Sequence, residues 1–550
     1  MMMRRWNLWL TTAVLAAIVM LAPVMALAFS ALQGSAGLWS HLWANVLPVA
    51  LRNTVLMLLG VGALVTVLGT GSAWLVTAYR FPGQRLLSWA LLLPLAVPTY
   101  IAAYAYLDVL HPLGPVQGLI RDLLGYGSPR EFRLPDIRHL AGCIVLLGFV
   151  LYPYVYLTTR ALFMTQAAGL LEAARTLGAT RAQLFRRVAL PLARPAIAVG
   201  VALALLEALN DIGASEFLGV QTLTVSIYTT WVSRGDLPGA AQIALAMLLL
   251  VAVLLMLEKH GRRRQRYAST LRPRPMQPQR LRGAKAVFAF ALGALPVMVG
   301  FVVPAAYLAW EAAQRVRVAG VSPQLWGALQ NTIGIALAAT AVVMAVGLAV
   351  AWALRLAQVR RGGRLAAACS RVASLGYAIP GTVLAIGLLV PMGALDAVFA
   401  ELRFAIDGGR AQMLLMGTAT ALVVAYTLRF LAISVGGIEA GLARVPQSLD
   451  HAAANLGESA GGMLRRVHLP LLRPAFAAAA LLVFVDTMKE LPATLVLRPM
   501  NFETLATWLY AEAARGTYEE GAVAALLIVL TGLLPVILLA RAGAAHGARP

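Results

Sequence analysis

The chain has 550 residues, of which 60% are hydrophobic and only 12% charged. A water-soluble globule carries roughly a quarter of its residues as charged side chains, so a surface that faces water over most of the chain is excluded. The formal net charge of +22 would suit nucleic acid, but its placement along the chain assigns it to membrane topology, and nucleic acid is not a partner. The two cysteines, Cys143 and Cys369, lie in apolar runs and offer neither a disulfide framework nor a thiolate metal site.

A helical crossing needs roughly 20 apolar residues, and on that measure the chain offers about twelve. In the first half they lie near 10–30, 51–77, 86–109, 140–159, 196–215 and 239–257. The first follows Met1-Met2-Met3-Arg4-Arg5. It has the length of a signal peptide but no small-residue cleavage site, and reads as an anchor. Between the fourth and fifth spans lies the segment 160–195. Glu172, Ala173, Ala174 and Leu177 predict a short helix, with Gly178 as its C-cap. Residues 181–189 restart as a basic amphipathic helix, and Leu190-Pro191 is expected to stop it, because proline lacks the amide N–H. Arg194-Pro195 opens the next span. The expected product is a compact helix–turn–helix knob at the inner surface. The sixth span leads into 258–285, a basic, proline-rich linker too polar to pack as core.

In the second half the spans lie near 286–308, 329–354, 372–392, 411–428, 475–497 and 521–540. Here 451–474, HAAANLGESAGGMLRRVHLPLLRP, repeats the register of 172–195, EAARTLGATRAQLFRRVALPLARP. Gly178 pairs with Gly457, Arg186-Arg187 with Arg465-Arg466, and Leu190-Pro191 with Leu469-Pro470. Upstream, Asn53-Thr54 echoes Asn331-Thr332, and Val97-Pro98 echoes Ile379-Pro380. The fold expected is all-α and polytopic: two parallel six-helix repeats, 1–257 and 286–550, joined by the linker 258–285. Because an even number of spans returns the chain to its starting side, both repeats share one topology, related by a two-fold axis along the membrane normal. Lys and Arg concentrate at 4–5, 80–85, 160–195, 258–285, 355–371 and 429–474. These segments share one side if the N-terminus is cytoplasmic, with anionic lipid headgroups as neighbours.

The two loops, 160–195 and 429–474, resemble the EAA signature of ABC importer permeases. The first copy carries Glu172-Ala173-Ala174, Gly178 and Leu190-Pro191; the second has His451 in place of the glutamate, then Ala452-Ala453 and Gly457. The resemblance implies that Glu172, Ala173, Gly178, Ala452 and Gly457 dock on an ATP-hydrolysing partner. It implies two copies of a cytoplasmic ABC ATPase, which bind the ATP and magnesium, and a periplasmic substrate-binding protein. The chain itself contains no G-x-x-x-x-G-K-[ST] loop to cradle a nucleotide, and is expected to be a transport component, not an enzyme, in a bacterial inner membrane. LPLAVPTYIAAYAYLD (93–108), LYPYVYLTTRA (151–161), LALLEALNDIGASEFLG (203–219) and LVFVDTMKELPATLVLRPMNFETLAT (482–507) resemble the fused ferric-iron type within that family. Thiamine and phosphonate permeases of the same plan are the alternatives, and a secondary transporter is a more distant one.

Ionisable residues inside spans are costly and earn a functional hypothesis by default. Glu207, Asn210 and Asp211 in the fifth span occupy the register of Asp486, Lys489 and Glu490 in the eleventh. Each trio falls near one helical face, and reads as a structural pair, a gate, or an acidic surface for a cation. No histidine spacing suggests a metal site, so none is assigned. Pro94, Pro98, Pro380 and Pro391 predict kinks in the third and ninth spans. The clusters Tyr100/Tyr104/Tyr106 and Tyr152/Tyr154/Tyr156 are expected as interfacial belts.

Overall fold

The computed structural model describes residues 2–35, 37–165, 174, 176–180, 183–262, 278–359, 363–408 and 413–547. Eleven helices there are long and apolar enough to cross a membrane, and a twelfth crossing forms if the bent pair Gln84–Ala96 and Thr99–Val109, which meet at 92°, counts as one span. The chain is an all-α multi-pass membrane protein, and every span expected from hydropathy has its helix. Among the described residues the strands are Tyr79–Arg80 and Gln279–Arg280, which pair in parallel with Tyr79 opposite Gln279. The C-terminal end of the linker is thereby fastened to the first repeat.

Proline decides the fine structure. The third span breaks after a 3₁₀ turn, Leu93–Ala96, and restarts at Thr99 with Pro98 as its N-cap. The ninth does the same: a 3₁₀ turn at Ser374–Tyr377, then Pro380 as N-cap of Gly381–Asp407. Both prolines are extended, with ψ of 147° and 143°, so the echo of Val97-Pro98 in Ile379-Pro380 is a matched break.

Elsewhere proline does not break the helix. Leu190-Pro191 was expected to end the basic helix of the first loop. Instead a π-helical turn, Leu184–Ala189, runs directly into Leu190–Asn210. The second copy repeats this at Leu464–His468 and Leu469–Met488, and Pro195 and Pro474 lie inside the continuing helices. Two further π turns, Leu42–Val46 and Met298–Val302, also end two residues before a proline, Pro48 and Pro304. The physical reason is register. A proline inside an α-helix leaves the carbonyl four residues back without a donor and clashes with it. A single π turn shifts the preceding bonds to i→i+5 and relieves that conflict. The knob is therefore continuous with its span, not a separate hairpin.

The two compact units differ from the two sequence repeats. One joins Met1–Ala44 and Ser226–Ala246 to Val321–Trp508; the other joins Asn45–Val225 to Met247–Gly320 and Leu509–Pro550. In the first unit, Ala13 and Ala17 of the N-terminal helix share a buried cluster with Val350, Ala353, Cys369, Ala373, Leu431 and Val435. In the second, Gly300 lies against Pro94 and the Phe149 carbonyl, and Gly293 against Leu75 and Leu87. The leading helix of each sequence repeat thus packs on the body of the other repeat.

Within each unit, the second span crosses the fourth of its repeat at a glycine. A Cβ on Gly69 would sit 2.6 Å from Val155 Cβ and 2.9 Å from the Tyr152 carbonyl oxygen; one on the equivalent Gly347 would strike Ser434. Small residues let helix backbones approach in lipid, where dispersion packing drives association. Gly69→Leu is expected to force the helices apart at a cost of about 1–3 kcal/mol or more. A fall in the thermal midpoint of the detergent-solubilised protein checks this; the midpoint should not move for Gly71→Leu, where a Cβ meets nothing within 4 Å.

The tyrosines expected as interfacial belts lie mostly inside the helix packing. Tyr100, Tyr104, Tyr152 and Tyr156 are buried. Tyr156 Oη donates to the Ser88 carbonyl at 2.7 Å, and Tyr106 Oη to that of Val299 at 2.6 Å. Helix packing claims these rings, which then cannot form a belt at the lipid interface.

Candidate functional site

The loops that carry the repeat build the same motif twice. In the second copy, Gln447–Asn455 is a helix started by Pro446. Gly457 follows at φ 82°, and the Glu458 N–H reaches back to the Ala453 carbonyl at 3.0 Å. In the first copy Gly178 has φ 80°, and the Ala179 N–H reaches the Ala174 carbonyl at 3.0 Å. This is the left-handed glycine closure of a helix C-terminus. Glu172 and Ala173 lie outside the described residues. The next helix is capped by a hydroxyl in both copies. Ser459 Oγ accepts from the Gly462 N–H at 3.2 Å, and Thr180 exchanges bonds with Gln183. The turn is thus fixed at both ends.

Each turn presents a leucine to the outside. Leu177 is 87% exposed and Leu456 85%, at matching positions one residue before the glycine. A Cβ on either glycine would meet nothing within 4 Å. The two copies therefore hold a matching exposed leucine on a turn closed by the same left-handed glycine. The resemblance in the sequence points to Ala452 and Gly457 at the second turn but not to Leu456, whose signal is an apolar residue directly before a helix-ending glycine.

The intramembrane trios are resolved into different roles. Leu190–Asn210 ends just before Asp211, and the short helix Gly213–Phe217 follows. Asp211 is buried. Its carboxylate accepts from the Ser215 N–H at 2.9 Å, the Ala214 N–H at 3.4 Å and Thr99 Oγ1 at 2.6 Å. Leu469–Met488 likewise ends before Glu490, and Pro492–Leu497 follows. Glu490 accepts from the Ala493 N–H at 3.1 Å and the Thr494 N–H at 3.4 Å. Each carboxylate satisfies the free amides at a helix start.

The longer Glu490 has its room from Gly381, where a Cβ would lie 2.6 Å from Glu490 Oε1. Thr99 occupies the equivalent place in the first repeat, beside the shorter Asp211. Glu490 also faces the buried Arg429, whose Nε lies 3.5 Å from Oε1. Arg429 Nη1 donates to the Ile379 carbonyl at 3.3 Å, tying the break in the ninth span to the break in the eleventh.

Asp486 and Lys489 form an ion pair at 2.8 Å, one helical turn apart. Glu207 and Asn210 take the same i,i+3 places in the first repeat and are half-buried. Among the described residues no group of three or more His, Cys, Asp or Glu is arranged to hold a metal ion.

The echo at Asn53-Thr54 and Asn331-Thr332 is a latch. Asn53 Nδ2 donates to the Gln221 carbonyl at 3.1 Å, and Thr54 Oγ1 accepts from the Leu223 N–H at 2.9 Å. Asn331 Nδ2 donates to the Glu503 carbonyl at 3.0 Å, and Thr332 Oγ1 accepts from the Leu505 N–H at 2.8 Å. The second span of each repeat so holds the loop after the broken fifth or eleventh. Thr332→Val should leave the buried Leu505 amide without its partner and cost about 1–3 kcal/mol, read as faster amide exchange at Leu505. Unchanged exchange there would contradict the latch.

Two segments, 65–267 and 349–545, match the model of the binding-protein-dependent transport system inner membrane component. The Fe(3+)-transport system permease protein FbpB 2 of Haemophilus influenzae is 24% identical over 494 residues, covering 89% of each chain. The sulfate transport system permease protein CysT of Salmonella typhimurium is 31% identical over 257 residues, 45% of this chain and 87% of that one. The putative 2-aminoethylphosphonate transport system permease protein PhnV of the same species is 30% identical over 216 residues, 39% of this chain and 74% of that one.

Proposed function

This chain belongs to the family of binding-protein-dependent transport system inner membrane components, and from that premise we propose that it supplies the whole transmembrane path of one ATP-driven importer. The observation that carries this is the duplicated turn with its exposed Leu177 and Leu456 and left-handed Gly178 and Gly457. Two such turns call for two copies of a cytoplasmic ATPase, which supply ATP and magnesium. A periplasmic binding protein delivers the substrate to the outer loops, and the protein resides in a bacterial inner membrane with its N-terminus in the cytoplasm. The continuity of each turn with Leu190–Asn210 or Leu469–Met488 suits force transmission. A shift of the turn moves a whole span, where a flexible loop would absorb it. Nucleotide binding and release then alternate the path between its outward-open and inward-open states.

For the substrate we propose ferric iron. The support is the likeness to an Fe(3+) permease that runs over 89% of both chains. Asp211 and Glu490 add nothing to it, since both are engaged by backbone amides. A second reading, an oxyanion, is favoured by the half-length likeness to sulfate and phosphonate permeases. Deleting the gene should abolish uptake of radiolabelled ferric iron and leave sulfate uptake intact. Loss of sulfate or phosphonate uptake with iron uptake intact would favour the oxyanion and overturn iron.

A further inference from the structure

The two turns are anchored by different chemistry. In the second repeat, Asp450 lies in the first turn of Gln447–Asn455, directly before His451, and is buried. Arg355, near the end of Pro323–Val359, donates through Nε to Asp450 Oδ2 at 2.9 Å, with Nη2 at 2.7 Å from the same oxygen. Arg355 also holds the carbonyls of Val445 at 2.8 Å and Leu442 at 3.3 Å. On the other carboxylate oxygen sits His468 Nε2, at 2.5 Å. His468 is the last residue of the π turn that leads into Leu469–Met488, and its ring lies 4.8 Å from that of Trp352. All three ionisable side chains are under a tenth exposed. One carboxylate therefore ties the short helix to two spans at once.

The sequence of the first repeat places no ionisable side chains at the three equivalent positions. The register that pairs Asn53-Thr54 with Asn331-Thr332 places Thr77 where the second repeat has Arg355. The register of the loops places Leu171 for Asp450 and Ala189 for His468. Among the described residues, Thr77 Oγ1 bonds within its own helix, to the Ala73 and Trp74 carbonyls at 2.7 and 3.3 Å. Trp74, the counterpart of Trp352, packs instead on Phe163 and Phe185, with ring centroids 5.5 and 5.3 Å away. An apolar contact of this kind can slide. An arginine fork holding a carboxylate and two carbonyls is directional and resists it.

We propose that Arg355, Asp450 and His468 are positioning residues that make the second turn the stiff lever of the pair, so that movement of its short helix is passed to Pro323–Val359 and Leu469–Met488 without slippage. The inference rests on the importer reading above. It accounts for the departure at His451: the acidic side chain of this helix is Asp450, turned inward to hold the lever.

The test uses the full chain in lipid nanodiscs with its co-purified ATPase, and reads hydrolysis and transport separately. Asp450→Asn keeps volume and hydrogen bonding but removes the charge; His468→Gln removes the second tie; Thr77→Val is the control in the first repeat. Asp450→Asn and His468→Gln are expected to retain the ATPase and hydrolyse ATP, while substrate moved per ATP falls at least about fivefold. Arg355→Lys should fall part-way, since an ammonium cannot reproduce the fork, and Thr77→Val should leave the ratio unchanged. Asp450→Asn and His468→Gln complexes with a wild-type ratio would overturn the inference while the importer reading stands. A purely structural role would lower the yield of complex and leave the ratio of the surviving complex untouched, which also overturns it. A wild-type chain that captures no ATPase would overturn both.

Discussion

Replacing Leu177 and Leu456 together by aspartate is expected to abolish capture of the partner ATPase while the protein still inserts and folds. Both side chains are more than four-fifths exposed, so folding should change by no more than about 0.5 kcal/mol. Against a partner, burying a leucine contributes about 1.5–3 kcal/mol. Losing both, and burying two carboxylates in their place, should weaken association by at least about 100-fold. Retention of the ATPase on the affinity-purified permease reads this directly, and single variants should fall between. Gly178→Val and Gly457→Val approach the same turn through its backbone. At φ near 80° a β-branched residue is strained, so the turn rearranges although open space surrounds it. Undiminished ATPase capture by the double aspartate variant would contradict the docking role.

The second large effect belongs to Glu490. Glu490→Ala should destabilise the protein by about 3–5 kcal/mol, because it leaves Arg429 as an uncompensated buried charge. At 3.5 Å the pair is an ionic contact, and among the described residues Arg429 Nε has no hydrogen-bond partner. The guanidinium therefore depends on Glu490 for its counter-charge. The same substitution also uncovers the Ala493 and Thr494 amides. Replacing both members, Arg429→Met with Glu490→Met, should restore part of the loss, since removing a whole buried pair costs less than orphaning one charge. Asp211→Ala in the first repeat, where Val150 stands in the register of Arg429, should cost only about 0.5–2 kcal/mol as a lost helix cap. Thermal midpoints of the detergent-solubilised variants rank the three. An Asp211→Ala effect equal to that of Glu490→Ala would show that Arg429 does not set the difference.

Hydropathy alone located every span, because a crossing helix must be apolar over its whole length. The repeat was legible in the loops and proved to be structural at each echo: Asn53 and Asn331 as latches, Pro98 and Pro380 as helix starts, Gly178 and Gly457 as left-handed closures. What escaped sequence reading depends on neighbours distant along the chain. Pro191 looks like a stop, and only the π turn beside it lets the helix continue. Ala13 and Ala17 carry no mark of which body they pack on, because lipid-facing and protein-facing apolar surfaces read alike. Asp211 and Asp486 read alike in the sequence, as part of a structural pair, a gate or a surface for a cation. One proves to cap a helix and the other to pair with Lys489. Tyr152 and Tyr156 look like belt residues until the packed helices around them are known.

Both repeats are expected to present their turns to the same compartment. Single cysteines at Leu177 and Leu456, in a chain with Cys143 and Cys369 replaced by serine, should react with a membrane-impermeant maleimide only in inside-out vesicles. Labelling of one position from each side of the membrane would contradict the account.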